Sequence, residues 1–320
     1  MSAGPRITLL AGGVGGAKMA EGLAASRYGR ALTVIGNIGD DHEFHGLHVS
    51  PDIDTMIYSL AGLVDRDQGW GLAGETYRTL DRLALLGAET WMKLGDLDFA
   101  THIRRSKLLR AGHRLTEIVA ILARHCGVET PIRLPTDDPV RTKLKTEIGW
   151  LDFQEYFVRE RCRPTVYDIA FAGAENAVPT PEALSAIADA DLILVAPSNP
   201  LVSIGPMLAV PSFEDALRAS SAVKLAISPL IGGRTVKGPA DRMLEAQGYR
   251  PDPIGLADFY GDLVDGFVID RVDGGLAGTL RDKGFDIIED DILMRDADDK
   301  RRLAESTVAH ALTPGHASCR

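Results

Sequence analysis

Gly12, Gly13, Gly15 and Gly16 form the motif GGVGGAK directly after an apolar run. Glycine lets a backbone approach a phosphate and turn several N–H groups toward it, and a following helix adds positive potential. Lys18 can add a charge to the same ligand. The spacing is not that of a P-loop, because no Gly-Lys-Ser/Thr follows. It is also a poor dinucleotide fingerprint, since no acidic residue ends the second strand where a ribose would need one. A structural tight turn is the alternative role. Asn37, Asp40 and Asp41 belong to NIGDD, and Asp52 and Asp54 follow 11 to 14 residues later. Carboxylates from two adjacent loops are a usual way to hold Mg²⁺, which bridges phosphate oxygens. Asp52 and Asp54 equally suit helix capping.

His42, His45 and His48 recur every third residue; a zinc triad and solvated loop histidines both fit that spacing. Lys93, Asp96, Asp98, Thr101 and His102 cluster in WMKLGDLDFATHIRRS. Capping explains one aspartate there but not the whole mixture. Arg104, Arg105 and Lys107 read as a solvated helix face. Ser198, Asn199, Ser203 and Gly205 lie in APSNPLVSIGP, where hydroxyls, an amide and N–H groups suit a phosphate or a base edge. No GxSxG elbow is present, so the serines read as binding groups rather than nucleophiles. Ser228, Gly232 and Gly233 make a second loop of this kind.

These clusters need elements to hold them. Residues 7–11, 32–36, 192–196, 223–227, 266–270 and 285–288 read as strands, and 166–172 reads as another where the rhythm resumes. Helical spacing marks 19–27, 54–63, 74–86, 115–125, 181–190, 213–219, 239–247, 275–283 and 298–312. Residues 96–105 read as a loop entering a helix. Alternation on this scale predicts an α/β, Rossmann-like, doubly wound and mostly parallel sheet with helices on both faces. Ligands then bind beyond the carboxyl ends of the strands, so the four polar strand ends should gather on one rim. Residues 127–165 are irregular and predict a small inserted β-element. The chain reads as one domain over 1–312 with a frayed tail over 313–320.

Composition narrows the function classes. The chain has 320 residues, 45% hydrophobic and 25% charged, which is ordinary for a globular protein. Acidic residues outnumber basic ones 45 to 35. Such a surface has no general attraction for nucleic acid or anionic membrane, so an anionic small molecule needs a local device. Three widely spaced cysteines without CxxC argue against a disulfide framework or zinc ribbon. The short apolar run near the start is no signal-peptide core, and no stretch is long enough to span a bilayer. A cytoplasmic location is expected.

Taken in order, GGVGGAK, NIGDD, SPDIDT, KLGDLDFATH, APSNPLVSIGP and ISPLIGG resemble the 2-phospho-L-lactate transferase (CofD-like) family of coenzyme F-420 biosynthesis. DFQEYFVRER and KGPADRML also look like that family. The resemblance runs from about residue 6 to about residue 312. It implies a Rossmann-like homodimer and a Mg²⁺-dependent transferase. The donor it implies is a GMP-linked diphosphate carrying lactate, enolpyruvate or glycerate. The acceptor is the deazaflavin Fo, whose terminal ribityl hydroxyl attacks the phosphorus bearing the acid while GMP leaves. The GGVGGA and NIGDD forms are closer to the bacterial branch and favour phosphoenolpyruvate. On this reading Asp40, Asp41 and Asp54 bind the metal, and Asp54 and Lys93 touch the deazaflavin. Asp54 is the first candidate for the base and Asp41 the second; Asp54→Asn should lose transfer and still fold. A related group, often described as gluconeogenesis factor, shares the first glycine loop, so a non-catalytic nucleotide- or deazaflavin-binding regulator is the alternative.

Overall fold

Short apolar runs become the centre of the fold. In the computed structural model, which describes residues 4–313, seven parallel strands form one sheet. Their order is Asp286–Asp290, Gly266–Asp270, Val223–Ile227, Leu192–Val195, Ile7–Ala11, Leu32–Gly36 and Ile132–Arg133. Successive side chains leave opposite faces of a strand. Leu10, Ile35 and Ile193 therefore join one buried cluster, with Ile187, Phe213 and Leu280 from helices on that side. Leu9, Val34 and Leu194 join the other, with Met19, Ile57, Ile118 and Leu303. Burial on both faces explains why these strands read as continuous apolar runs. The doubly wound α/β expectation holds.

The chain leaves Ile7–Ala11 for Leu32–Gly36 on one side and later returns to Leu192–Val195 on the other. The strand order reverses there, which opens a crevice beyond Ala11.

Several expected elements differ. The first helix begins earlier, at Gly13, and runs to Ala25, so the glycine motif is mostly helix. Pro51–Leu60 is helical from its first proline, which has no N–H to leave unpaired. The helix expected over 74–86 is confined to Arg78–Leu85. The segment read as a loop is the start of a helix, Asp96–Arg110. Two remote carboxylates explain both helix starts. Glu75 accepts from the N–H groups of Leu97 and Asp98, and Asp96 accepts from those of Arg78 and Thr79. Each carboxylate thus caps the other's helix.

Val166–Ala172 does not resume the main sheet. It pairs antiparallel with Arg141–Thr146, which pairs with Gly149–Asp152, in a separate three-stranded sheet. The inserted β-element is real but extends past residue 165, and its first strand, Ile132–Arg133, edges the main sheet. A helix at Pro253–Tyr260, started by the Asp252 side chain, had no counterpart in the sequence reading. Of the tail, 314–320 with Cys319 lies outside the described residues.

Candidate active site

A cavity of about 660 Å³ opens at the reversal of strand order. Its walls include Gly12, Gly13, Asp40, Ser198, Asn199 and Ser228. The four polar strand ends therefore share one rim, as the parallel sheet requires.

Part of the cavity lining comes from the first loop. Gly12 permits a close approach: a Cβ there would lie 2.6 Å from Asp52 Oδ2. The Ser198 hydroxyl donates to the Gly12 carbonyl at 2.7 Å and accepts from the Gly12 N–H at 3.1 Å. Ser203 also lines the cavity, and Asn199 turns its carbonyl to the N–H of Leu201. Gly15 lines the wall but is needed for packing, since a Cβ would meet the Pro197 carbonyl oxygen at 2.2 Å. Gly16 packs on Ala11 and Ser198 and does not line the cavity; Gly205 packs on Phe171, also outside it. Lys18 lines the cavity and donates to the Met294 carbonyl; burial lowers its pKa. Lys237, which no motif singled out except through KGPADRML, also lines the cavity and donates to the Gln68 carbonyl.

Because the Pro197 carbonyl is backbone, Gly15→Ala cannot be accommodated by a rotamer change. It is expected to cost about 1–3 kcal/mol through overpacking. Denaturant unfolding checks this; a wild-type midpoint would mean that the helix steps away freely.

Asp40 and Asp52 meet at the floor. Asn37 Nδ2 donates to Asp40 Oδ1 at 3.2 Å and to Asp52 Oδ2 at 3.0 Å. Gln154, from the inserted element, donates to Asp40 Oδ2 at 3.1 Å. The Gly13 N–H also donates to Asp52. Burial, then mutual repulsion among Asp40, Asp52 and Asp41, pushes the Asp40 pKa well above the usual carboxylate range. Burial also raises Asp52, to about 6. Two buried, facing carboxylates hold a proton or a cation between them. Hard oxygen donors of this kind fit Mg²⁺, which keeps waters in the rest of its shell.

The expected metal set of Asp40, Asp41 and Asp54 is not brought together. No group of three or more His, Cys, Asp or Glu converges as a metal site among the described residues. Asp41 accepts from the Ser50 hydroxyl at 3.0 Å and lies 2.7 Å from His48 Nε2, outside the cavity wall. Asp54 gives both oxygens to Arg105, whose guanidinium is fully buried. The three histidines do not converge either. His42 faces Asp152, His48 faces Asp41, and His45 sits in the turn between two short strands. Asp52, for which the sequence allowed both a metal-holding and a capping role, faces Asp40 where Asp41 and Asp54 do not.

The cavity also has an apolar and aromatic lining. Trp70, Met92, Leu94, Phe153 and Phe157 line it, with the two phenylalanines stacked at 5.5 Å. Lys93 stands over the Tyr77 ring and also lines the wall. Asp54, Tyr58, Asp98 and His102 line it as well. Asp96 stays outside as a cap; the Thr76 hydroxyl and two backbone N–H groups hold its pKa down at about 2. Thr101 lies behind the wall, 2.8 Å from the Tyr58 hydroxyl. Arg105, read as solvated, is the buried cation of the site. Sequence reasoning missed it because a charge run carries no mark of which member turns inward. It gave no role to Phe153, Gln154 and Phe157, which arrive from the insertion, although it quoted their segment, nor to Trp70.

Burial lowers the His102 pKa to about 4, so its ring is neutral. Its 3.7 Å approaches to Asp54 and Asp98 are accordingly not ion pairs. Burial, then the Asp54 charge, raises the Asp98 pKa to about 7.

Comparison with known proteins agrees with this architecture. The family model described as 2-phospho-L-lactate transferase CofD matches residues 7–303. A phosphoenolpyruvate transferase of Kitasatospora aureofaciens is 39% identical over 320 residues, covering 98% of this chain and 100% of that protein. One from Streptomyces coelicolor is 38% identical over 312 residues, with 96% and 98% covered. A 2-phospho-L-lactate transferase of Methanosarcina acetivorans is 36% identical over 300 residues, with 94% and 97% covered. A Bacillus halodurans crystal structure described as a member of the upf0052 family superposes with a TM-score of 0.60, covering 94% of this chain and 98% of that chain; at 16% identity it speaks for the fold alone. With these motifs set around one cavity and the match spanning nearly its whole length, the chain belongs to the CofD family of 2-phospho-L-lactate transferases.

Proposed function

We propose that the protein transfers a phosphoenolpyruvyl group from a GMP-linked diphosphate to the terminal ribityl hydroxyl of the deazaflavin Fo. GMP is released, and the product is the dehydro form of coenzyme F-420-0. The observation that carries this reading is one cavity lined both by polar groups and by aromatic and apolar side chains. The glycine loop, Ser198, Asn199, Ser203 and two lysines suit a nucleotide diphosphate. The stacked phenylalanines, Trp70 and Met92 suit a flat heteroaromatic ring. The names of the bacterial relatives favour enolpyruvate over lactate or glycerate as the acid.

Transfer at phosphorus depends mainly on positioning and charge neutralisation. Asp40 and Asp52 would hold Mg²⁺, which when bound supplies charge neutralisation for the diphosphate. Lys18 and Lys237, which both line the cavity, add positive charge. Asp54 and Lys93 face the deazaflavin side. The enzyme is taken to act as a cytoplasmic homodimer without nucleic-acid or membrane partners.

Fo fluoresces, so titration reports its binding directly. Incubating Fo, GTP, Mg²⁺ and a guanylyltransferase with each phospho-acid in turn should give the expected product mass with phosphoenolpyruvate. Binding without product from any acid would favour a non-catalytic deazaflavin-binding regulator. Absence of Fo binding would remove the deazaflavin reading.

A further inference from the structure

The cavity lining holds an unmet donor near a half-used acceptor. Arg105 Nη1 lies 3.2 Å from His102 Nδ1. Arginine can only donate, so Nδ1 accepts and the neutral ring carries its proton on Nε2. That Nε2 is buried and has no hydrogen-bond partner among the described residues. Its distance of 3.7 Å from Asp98 Oδ1 is too long for a hydrogen bond. Asp98 Oδ1 is held by the Tyr58 hydroxyl at 2.7 Å, while no partner is found for Oδ2 among the described residues. Both residues line the cavity.

An unmet N–H beside a free carboxylate oxygen is the complement of an alcohol, which both donates and accepts. Asp54 is less suited to this part, because both its oxygens already accept from Arg105. Resting on the transfer reaction above, we propose that Asp98 takes the proton of the acceptor hydroxyl while His102 Nε2–H holds the same oxygen. The hydroxyl O–H bond breaks and its proton goes to Asp98. The freed electron pair forms the new P–O bond to the phosphorus bearing the acid. The bond from that phosphorus to the bridging diphosphate oxygen breaks, and GMP leaves with its electrons. Arg105 and Asp54 are positioning residues that fix the His102 tautomer.

The charged and titratable groups around Asp98 are Asp54 and Tyr58 from the second helix, Glu75 from the capping loop, and Arg105 and His102 from its own helix. The test compares wild type with Asp98→Asn and Tyr58→Phe. In wild type, kcat should fall as pH drops through about 7, where Asp98 gains its proton. Asp98→Asn should lower kcat by about 10²–10⁴-fold and remove that limb, as expected for loss of a general base. Its Fo affinity, read by fluorescence, should stay within about threefold on the same argument. Tyr58→Phe deletes a hydrogen bond that stabilises the carboxylate, so the limb should move to higher pH. An Asp98→Asn enzyme with kcat within about tenfold of wild type, or one that loses Fo affinity and keeps kcat, overturns the assignment. An unmoved limb in Tyr58→Phe overturns it too, even if Asp98→Asn does not fold. Wild-type protein that makes no product with any acid would instead fail the function reading itself.

Discussion

Asp54→Asn is expected to lose both transfer activity and about 3–5 kcal/mol of stability, because it strands a buried guanidinium. Both Asp54 oxygens accept from Arg105, which is 0% exposed and among the described residues otherwise reaches only the His48 carbonyl and the His102 ring. The sequence reading expected this variant to keep its fold, and the buried pair revises that expectation. Replacing both partners at once, with Asp54→Leu and Arg105→Met, should restore much of the stability, since apolar side chains of similar size often substitute for a buried pair at little cost. The double variant should remain inactive. Denaturant unfolding and product formation, measured on the single and double variants, separate the two effects. If Asp54→Asn unfolds at the wild-type midpoint, the pair does not carry the stability assigned to it.

Asp52→Asn should move stability the other way. Asp52 is raised to about 6 by burial, with the Asp41 charge adding to the rise. The sign follows from linkage. The folded-state pKa lies above the unfolded value of about 3.9, so the folded state binds more protons between the two. Ionisation therefore costs the fold stability as pH rises through that window, and the cost is fully present above it. Asparagine removes the cost, for a gain of about 1–3 kcal/mol above pH 6 in metal-free buffer and little gain below pH 4. Transfer should fall by roughly 10²–10³-fold, and added Mg²⁺ should no longer raise the melting temperature, since the facing pair is broken. Melting curves across pH, with and without Mg²⁺, test both halves. A variant that is less stable at neutral pH, or that keeps the Mg²⁺ shift, would sink the assignment of the floor.

The two variants differ in sign although the residues stand two apart on one helix. Asp54 faces a cation and Asp52 faces another carboxylate. Helix position cannot distinguish them, because both fall in the first turn of Pro51–Leu60, where aspartate is also a good cap. The same holds for Arg105: Arg104 and Lys107 are exposed as the charge run suggested, and only Arg105 turns inward. Asp96 and Asp98 divide similarly, one capping a neighbouring helix and the other facing the cavity.

Local sequence by itself determined the parallel sheet and its working rim. Runs such as Leu32–Gly36 and Gly266–Asp270 are buried on both faces, so their apolar character is continuous and their bounds are legible. Parallel connection then forces the polar strand ends to one side. Tertiary structure alone decided the rest. It began the Asp96–Arg110 helix through Glu75, 20 residues before it in sequence or more. It set Val166–Ala172 in a separate sheet and brought Gln154 to Asp40. It also chose which carboxylates face one another and which face a cation. The physical reason is that charge pairing and capping act through space between residues far apart in the chain, whereas a strand's apolar run is a property of consecutive residues.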